Sequence, residues 1–129
     1  FDKRAKYVAV AKRYLEKQKL LILGEGFQSK RGRFDLIALD RKTLVMVSVR
    51  LRGCPEPVPD DDEVADPRDV QVAADEWRER HHHVSIDAYR FDVVRLDWYA
   101  NRKGEPVIRY FPDAISVGQT RRLVETSSP

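Results

Sequence analysis

The sequence contains a single cysteine, Cys54, and no apolar run that approaches the length of a membrane span. One cysteine excludes an intramolecular disulfide bond. A membrane-spanning helix needs about 20 predominantly apolar residues in succession. No signal-peptide pattern opens the chain. These features favour a cytoplasmic protein that has no membrane partner.

Internal repeats and a composition break that would mark a second domain are also missing. The 129 residues, 42% of them hydrophobic and 35% charged, suffice for one buried core. We predict a single domain over residues 1–117 and a flexible tail over 118–129. Within this domain, residues 53–67 are rich in proline and include the acidic block Asp60–Glu63, which predicts a mobile surface loop.

Positive charge is concentrated in the first part of the chain. Residues 1–52 hold 14 Lys or Arg against 5 Asp or Glu, a net of +9. Residues 53–129 hold 10 against 16, a net of −6. Such asymmetry indicates that one surface contacts a polyanion. The alternative, that folding intermixes these charges over the surface, stays open.

Hydrophobic periodicity predicts the order α-β-β-β-α-β-β, an α/β or α+β protein with helices packed on a sheet. The first helix is predicted over residues 2–18 from apolar residues at helical spacing. Asp66 and Pro67 are typical of a helix start, as the N-cap and the first helical residue. The predicted strands cover residues 20–23, 32–38, 43–52, 90–96 and 106–111.

The second and third predicted strands carry polar residues among apolar ones. Side chains alternate between the two faces of a strand, so Arg33 and Asp35 should share a face, as should Ser48 and Arg50. An acid and two arginines in otherwise apolar strands indicate a functional site or the remnant of one.

The order and spacing of these motifs resemble the bacterial YraN family of endonuclease-like proteins. Gly-Arg-Phe-Asp-Leu-Ile-Ala at residues 32–38 is similar to the family pattern Gly-Glu-Xaa-Asp-Leu-Ile-Ala. Val-Ser-Val-Arg-Leu-Arg at 47–52 is similar to Val-Glu-Val-Lys-Xaa-Arg, and Arg-Phe-Asp-Val-Val follows at 90–94. The resemblance covers residues 5–117. It implies a restriction-endonuclease-like fold of the PD-(D/E)XK nuclease superfamily, related to Holliday junction resolvases, with a central mixed five-stranded sheet flanked by helices.

The resemblance implies that Asp35 is the metal-binding aspartate, but its partners are replaced. Arg33 stands where the family has Glu, Ser48 and Arg50 replace the Glu and Lys of the third strand, and Asp69 replaces a lysine of the second helix. The charges of the family set Glu, Asp, Glu and Lys sum to −2. The charges of the corresponding residues here, Arg33, Asp35, Ser48 and Arg50, sum to +1. Mg²⁺ needs carboxylate ligands, and arginine stays protonated at any working pH. Asp35 is therefore expected to be a residual catalytic residue, with Ser48 and Arg50 at degenerate positions.

Our leading hypothesis is a catalytically degenerate nuclease fold that binds nucleic acid, DNA rather than RNA, without a cofactor. Arginine binds phosphate oxyanions in bidentate fashion, and phosphate contacts supply most of the affinity for nucleic acid. Alternatively, Arg33 or Arg50 pairs with Asp35 as a structural salt bridge. The residues predicted to contact phosphates are basic side chains of the N-terminal half: Lys12, Arg13, Lys30, Arg31, Arg33, Arg50 and Arg52.

Two further hypotheses stay open. The first is an active Mg²⁺- or Mn²⁺-dependent endonuclease in which Asp35 binds the metal with relocated ligands. Those ligands would come from the Asp60–Glu63 block or from Asp69, Asp75 and Glu76 of the second helix. The second is a scaffold that binds a protein partner such as a DNA-processing helicase. A monomer and a homodimer are both compatible with the sequence.

Other chemistry-bearing residues have simpler interpretations. His81–His83 at the end of the second helix are read as a solvated helix end, because consecutive helical residues point in different directions and cannot chelate one ion together. In extended structure, His81 and His83 could bind one ion. Cys54 is read as structural or incidental. Trp77 and Trp98 are predicted to lie in the core rather than to stack on bases.

Overall fold

The residues that the structure describes form two helices and five strands, in the predicted order. The computed structural model describes residues 4–55, 66–99 and 104–115. Most of the predicted loop and the whole predicted tail lie outside these residues. In the described part, no helix has the length and apolar character of a membrane span. The elements are α1 (Arg4–Lys17), β1 (Leu21–Ser29), β2 (Gly32–Asp40), β3 (Thr43–Arg52), α2 (Pro67–Arg80), β4 (Ala88–Asp97) and β5 (Val107–Ile115).

The five strands form one mixed sheet in the order β1-β2-β3-β4-β5. The first three strands make an antiparallel meander. β4 then lies parallel to β3, and β5 returns antiparallel to β4. A parallel neighbour requires a crossover connection, and α2 supplies the helix of that crossover. The predicted mixed five-stranded sheet and the α+β class are confirmed.

In the described part of the chain, one helix packs on each face of the sheet. We name the two faces after these helices, the α1 face and the α2 face. Buried residues of β3 alternate between them. Tyr7, Ala11 and Leu15 of α1 pack with the α1-face residues Val45, Val47, Val49 and Leu51. Val70, Ala73, Ala74 and Trp77 of α2 pack with the α2-face residues Leu44 and Met46. The same alternation places Ser48, Arg50 and Arg52 on the α2 face.

Two local features separate the observed elements from the predicted ones. β1 runs to Ser29 because Gly24 and Gly26 are absorbed in the strand, where the register shifts between Ile22 and Gly24. Gly26 has φ +69°, a conformation that favours glycine. α2 begins as predicted: the Asp66 carboxylate accepts a hydrogen bond from the Arg68 N–H at 2.8 Å.

A buried polar network ties the sheet together on the α1 face. The fully buried Asp92 carboxylate accepts hydrogen bonds from Arg90 Nε at 2.9 Å, from Asp113 N at 2.8 Å and from the Tyr110 hydroxyl. Arg90 also donates to Asp40 Oδ2 at 2.8 Å. The network therefore joins β2, β4 and β5. Burial, reinforced by the neighbouring Asp92 carboxylate, raises the pKa of Tyr110 above its ordinary value.

This shift predicts a pH dependence of stability. In the unfolded chain Tyr110 ionises at about pH 10, whereas in the folded protein it stays protonated to higher pH. The contribution of protonated Tyr110 to the free energy of unfolding is therefore complete below about pH 10 and declines as pH rises above that value. Tyr110→Phe should remove this part of the decline, as measured by urea unfolding across the alkaline range. Tyr99→Phe, at an exposed tyrosine, is the matched control and should keep the wild-type profile. Equal alkaline profiles for Tyr110→Phe and the wild type would contradict the assignment.

Candidate nucleic-acid interface

Asp35 lies where β2 separates from β3. The regular alternation breaks there, because Phe34 packs in the cluster beneath α2 while Leu36 packs beneath α1. The paired register between the two strands ends at Leu36 and Val47. The Asp35 carboxylate then accepts a hydrogen bond from the Val49 N–H at 2.7 Å. It thus satisfies a backbone donor that the departing strand no longer pairs.

Arg4 of α1 forms the ion pair of Asp35. Its Nε donates to Asp35 Oδ1 at 3.4 Å and its terminal nitrogen donates to Oδ2 at 3.3 Å. The same guanidinium also donates to the Val49 carbonyl oxygen. Sequence reasoning had named Arg33 or Arg50 for this pair and missed Arg4, which is 31 residues away in the chain. Asp35 is only 13% exposed, so this contact fastens the start of α1 to the hairpin.

The side chains around Asp35 do not fit a Mg²⁺ site. Mg²⁺ requires oxygen ligands in near-octahedral geometry, most often carboxylates. Both Asp35 oxygens already accept hydrogen bonds from Arg4, and β3 offers Ser48 and Arg50 where the resemblance implies Glu and Lys. Across residues 4–55, 66–99 and 104–115, no group of three His, Cys, Asp or Glu side chains could hold a metal ion.

The sequence suggested relocated metal ligands in two places, the Asp60–Glu63 block and the helix α2. The Asp60–Glu63 block lies outside the described residues. On α2, the Glu76 carboxylate accepts hydrogen bonds from the Lys30 N–H, the shorter at 3.2 Å. Glu76 therefore fastens the β1–β2 turn to α2.

Three arginines form a row across the α2 face. Arg50 of β3 is the register partner of Arg95 on β4, and Arg95 is the partner of Arg109 on β5. Register partners on neighbouring strands project to the same face. Because strands lie about 4.8 Å apart, this arginine row extends over about 10 Å. The side chains of Arg95 and Arg109 are 28% and 37% exposed, so a ligand can reach them from solvent.

Asp97 organises the arginine row. Its Oδ2 lies 3.7 Å from both the terminal nitrogen of Arg95 and the Nε of Arg109. Arg95 also lies over the Phe111 ring, with its guanidinium carbon 5.4 Å from the centroid. The buried Arg95 Nε has no hydrogen-bond partner in the part of the chain that the structure describes. Like charges at strand spacing repel one another, and a bound anion would relieve that repulsion.

The predicted phosphate contacts do not form one surface. Arg50 and Arg52 lie on the α2 face. The Lys30–Arg31 turn lies at the same end of the sheet, where β2 begins and β3 ends. Lys12 and Arg13 belong to α1 on the opposite side, and Lys12 pairs with Glu25 at 3.4 Å.

Arg33 is exposed, and its terminal nitrogen would lie 2.9 Å from a Cβ built on Gly26. It therefore lies against β1. Arg95 and Arg109, which sequence reasoning missed, join Arg50 instead. Their signal was hidden because residues 53–129 carry net negative charge.

The remaining sequence candidates have structural surroundings. Trp77 and Trp98 are 4% and 9% exposed and lie in the core, as predicted. The His81 ring stacks on Trp77 with centroids 3.9 Å apart, and its Nδ1 lies 2.7 Å from the Trp77 carbonyl oxygen. These contacts close the end of α2, in agreement with the helix-end interpretation. Cys54 is half-buried, packed at the edge of the α1-face core.

The element order, the mixed sheet and the β2–β3 hairpin around Asp35 define a small α+β protein of the type that the sequence motifs indicated. The sequence model of the uncharacterised protein family UPF0102 matches residues 9–96. The chain belongs to that family, which is the YraN family, as its motifs predicted.

Relatives from several bacteria support this membership. A UPF0102 protein of Geobacter metallireducens is 29% identical over 111 residues, which cover 84% of this chain and 88% of that protein. A UPF0102 protein of Vibrio vulnificus is 31% identical over 114 residues, 78% and 93% of the two chains. One from Aliivibrio fischeri is 44% identical over 55 residues, 40% and 45% of the two chains. The chain thus matches less than half the length of the Aliivibrio relative.

Proposed function

We propose that this protein binds nucleic acid through its phosphates and does not hydrolyse it at Asp35. The observation that carries the proposal is the arginine row beside Ser48 on the α2 face. Guanidinium groups hold phosphate oxygens through paired, charge-assisted hydrogen bonds. A row that extends over about 10 Å is longer than one phosphate group and suits a chain of phosphates.

The electrostatic balance of this face supports the same ligand. Among the described strand residues on the α2 face at this end of the sheet, one is a carboxylate, Asp97, which lies beside Arg95 and Arg109, and four are arginines: Arg50, Arg52, Arg95 and Arg109. A local excess of positive charge attracts polyanions and repels divalent cations.

The surroundings of Asp35 favour binding over cleavage. Its carboxylate is engaged by Arg4 and by the Val49 N–H, so it is occupied in holding the hairpin. Arg50, at the position where the resemblance implies a lysine, stays protonated and cannot accept a proton from water. Binding therefore needs neither Mg²⁺ nor Mn²⁺ in this proposal. DNA is the ligand we favour over RNA.

Binding should be measured with a labelled DNA duplex in the presence of EDTA. We expect retention at low salt, with the logarithm of affinity falling linearly with the logarithm of salt concentration. Arg95→Gln and Arg109→Gln should each weaken binding about tenfold and reduce the salt slope by about one phosphate contact. Arg80→Gln removes an exposed arginine in the last turn of α2, which lies over the Phe27 ring of the edge strand β1, and should leave the affinity unchanged.

Three results would contradict this proposal. If the protein retains no nucleic acid at low salt, the proposed binding function is wrong. Metal-dependent cleavage that Asp35→Ala abolishes would favour the endonuclease with relocated ligands. The scaffold hypothesis would be favoured if the protein retains no DNA but captures a DNA-processing helicase, and if this capture persists after nuclease treatment.

A further inference from the structure

Tyr99 is an exposed aromatic residue directly beyond the end of β4. It is 75% exposed, and Leu21 is the other exposed large hydrophobic residue among those described. Leu21 lies at the start of the edge strand β1, remote from the arginine row. Tyr99 instead lies at the end of the sheet where Arg52 completes β3. Because most of the Tyr99 surface is exposed, a ligand can reach the residue from solvent.

The Tyr99 ring lies on the backbone of Gly53. A Cβ built on Gly53 would lie 2.9 Å from Cγ, Cδ1 and Cε1 of the ring, and Gly53 has φ +67°. Glycine at this position therefore lets the ring approach the chain closely. The Trp98 N–H donates to the Arg52 carbonyl oxygen at 2.9 Å, so the backbone that carries the ring is fixed to β3. The backbone at Gly53 therefore supports one side of the ring, while most of the surface of Tyr99 is exposed.

Asp97 connects this ring to the arginine row. Its Oδ1 accepts a hydrogen bond from the Tyr99 N–H at 3.0 Å. Its Oδ2 lies 3.7 Å from nitrogens of both Arg95 and Arg109. One carboxylate thus holds the backbone of an exposed aromatic residue and the guanidinium groups of two neighbouring strands. Cations that follow a phosphate backbone, next to a ring on which bases stack, are the two components of single-strand recognition.

We propose that Tyr99 is a base-stacking residue and that this end of the α2 face binds an unpaired segment of nucleic acid. A base stacks on the Tyr99 ring while neighbouring phosphates contact the arginine row. This inference rests on the proposed function and adds a preference within it: the arginine row contacts phosphates of either ligand, and a single strand gains a stacking contact that a duplex lacks. In a duplex the bases stack on one another, so their faces are not available to Tyr99.

The test compares three labelled ligands of equal length in EDTA: a single-stranded oligonucleotide, a duplex and a single strand with abasic sites throughout its centre. Tyr99→Ala should weaken single-strand binding by about 5- to 150-fold, the equivalent of about 1–3 kcal/mol of stacking per base. Affinity for the duplex and the abasic strand should stay at the wild-type value. Tyr99→Phe, which keeps the ring, should bind the single strand like the wild type.

Tyr99→Leu controls for folding, because it keeps an apolar side chain over Gly53 without an aromatic ring. It should unfold at the wild-type urea concentration and lose single-strand affinity as Tyr99→Ala does. Wild-type single-strand affinity in the Ala and Leu variants would overturn this inference and leave the proposed function standing. An equal loss for the abasic strand would also overturn it. If the wild type binds none of the three ligands, the proposed function itself fails.

Discussion

Asp92→Asn is expected to lower the free energy of unfolding by about 3–5 kcal/mol, the range for breaking a buried charge pair. Asp92 is fully buried and accepts hydrogen bonds from Arg90, Tyr110 and Asp113. The substitution keeps the side-chain volume but replaces one accepting oxygen with a donor. Arg90 would then remain half-buried with Asp40 as its carboxylate partner in the network. Urea unfolding followed by circular dichroism measures the loss.

Asp40→Asn is the matched control for this prediction. It makes the same chemical change on the same arginine, but the Asp40 side chain is 37% exposed. Partly exposed ion pairs contribute about 1 kcal/mol or less. We therefore expect a small loss for Asp40→Asn and a loss several times larger for Asp92→Asn. Equal losses would mean that burial of the Asp92 network adds nothing to stability.

Asp35→Ala should destabilise the protein by about 2–3 kcal/mol, because it removes the carboxylate that accepts hydrogen bonds from a backbone donor and from a guanidinium. The donor is Val49 N, 2.7 Å from the carboxylate, and the guanidinium is that of Arg4. A carboxylate kept for catalysis behaves differently, since its removal tends to leave stability unchanged or improved. The measurement is urea unfolding of the wild type and the variant, with and without Mg²⁺ or Mn²⁺.

Arg33→Ala is the control on the same strand, because Arg33 is exposed and its removal should change stability by no more than about 0.5 kcal/mol. In our interpretation a divalent metal ion changes the free energy of unfolding of neither Asp35→Ala nor the wild type. A metal-dependent stabilisation of the wild type that disappears in Asp35→Ala would identify Asp35 as a ligand. That outcome would restore the endonuclease hypothesis.

Features that depend on neighbouring residues could be predicted from the sequence. Asp66 and Pro67 start α2 because an N-cap and a fixed φ act within one turn. Alternation along β3 placed Ser48 and Arg50 on one face, since it needs only the period of a strand. The resemblance carried by the motifs also implied the mixed five-stranded sheet.

Features that depend on pairing across the sheet could not be predicted. Arg95 and Arg109 join Arg50 because β4 lies parallel to β3 in one particular register. A shift by one residue would send these side chains to the other face, and no local signal in the sequence fixes that register. Arg4 reaches Asp35 from another element for the same kind of reason. Tyr99 gave no periodic signal, since it lies outside every strand and helix.

The irregular β1 strand has a consequence for how the protein behaves at high concentration. β1 is an edge of the sheet, and a straight edge strand offers a row of unpaired N–H and C=O groups to any other extended chain. The register shift between Ile22 and Gly24 and the left-handed Gly26 bend this edge. The Lys12–Glu25 ion pair adds charge beside the bend. The irregularity therefore guards the exposed Leu21 end of the sheet against strand addition and aggregation.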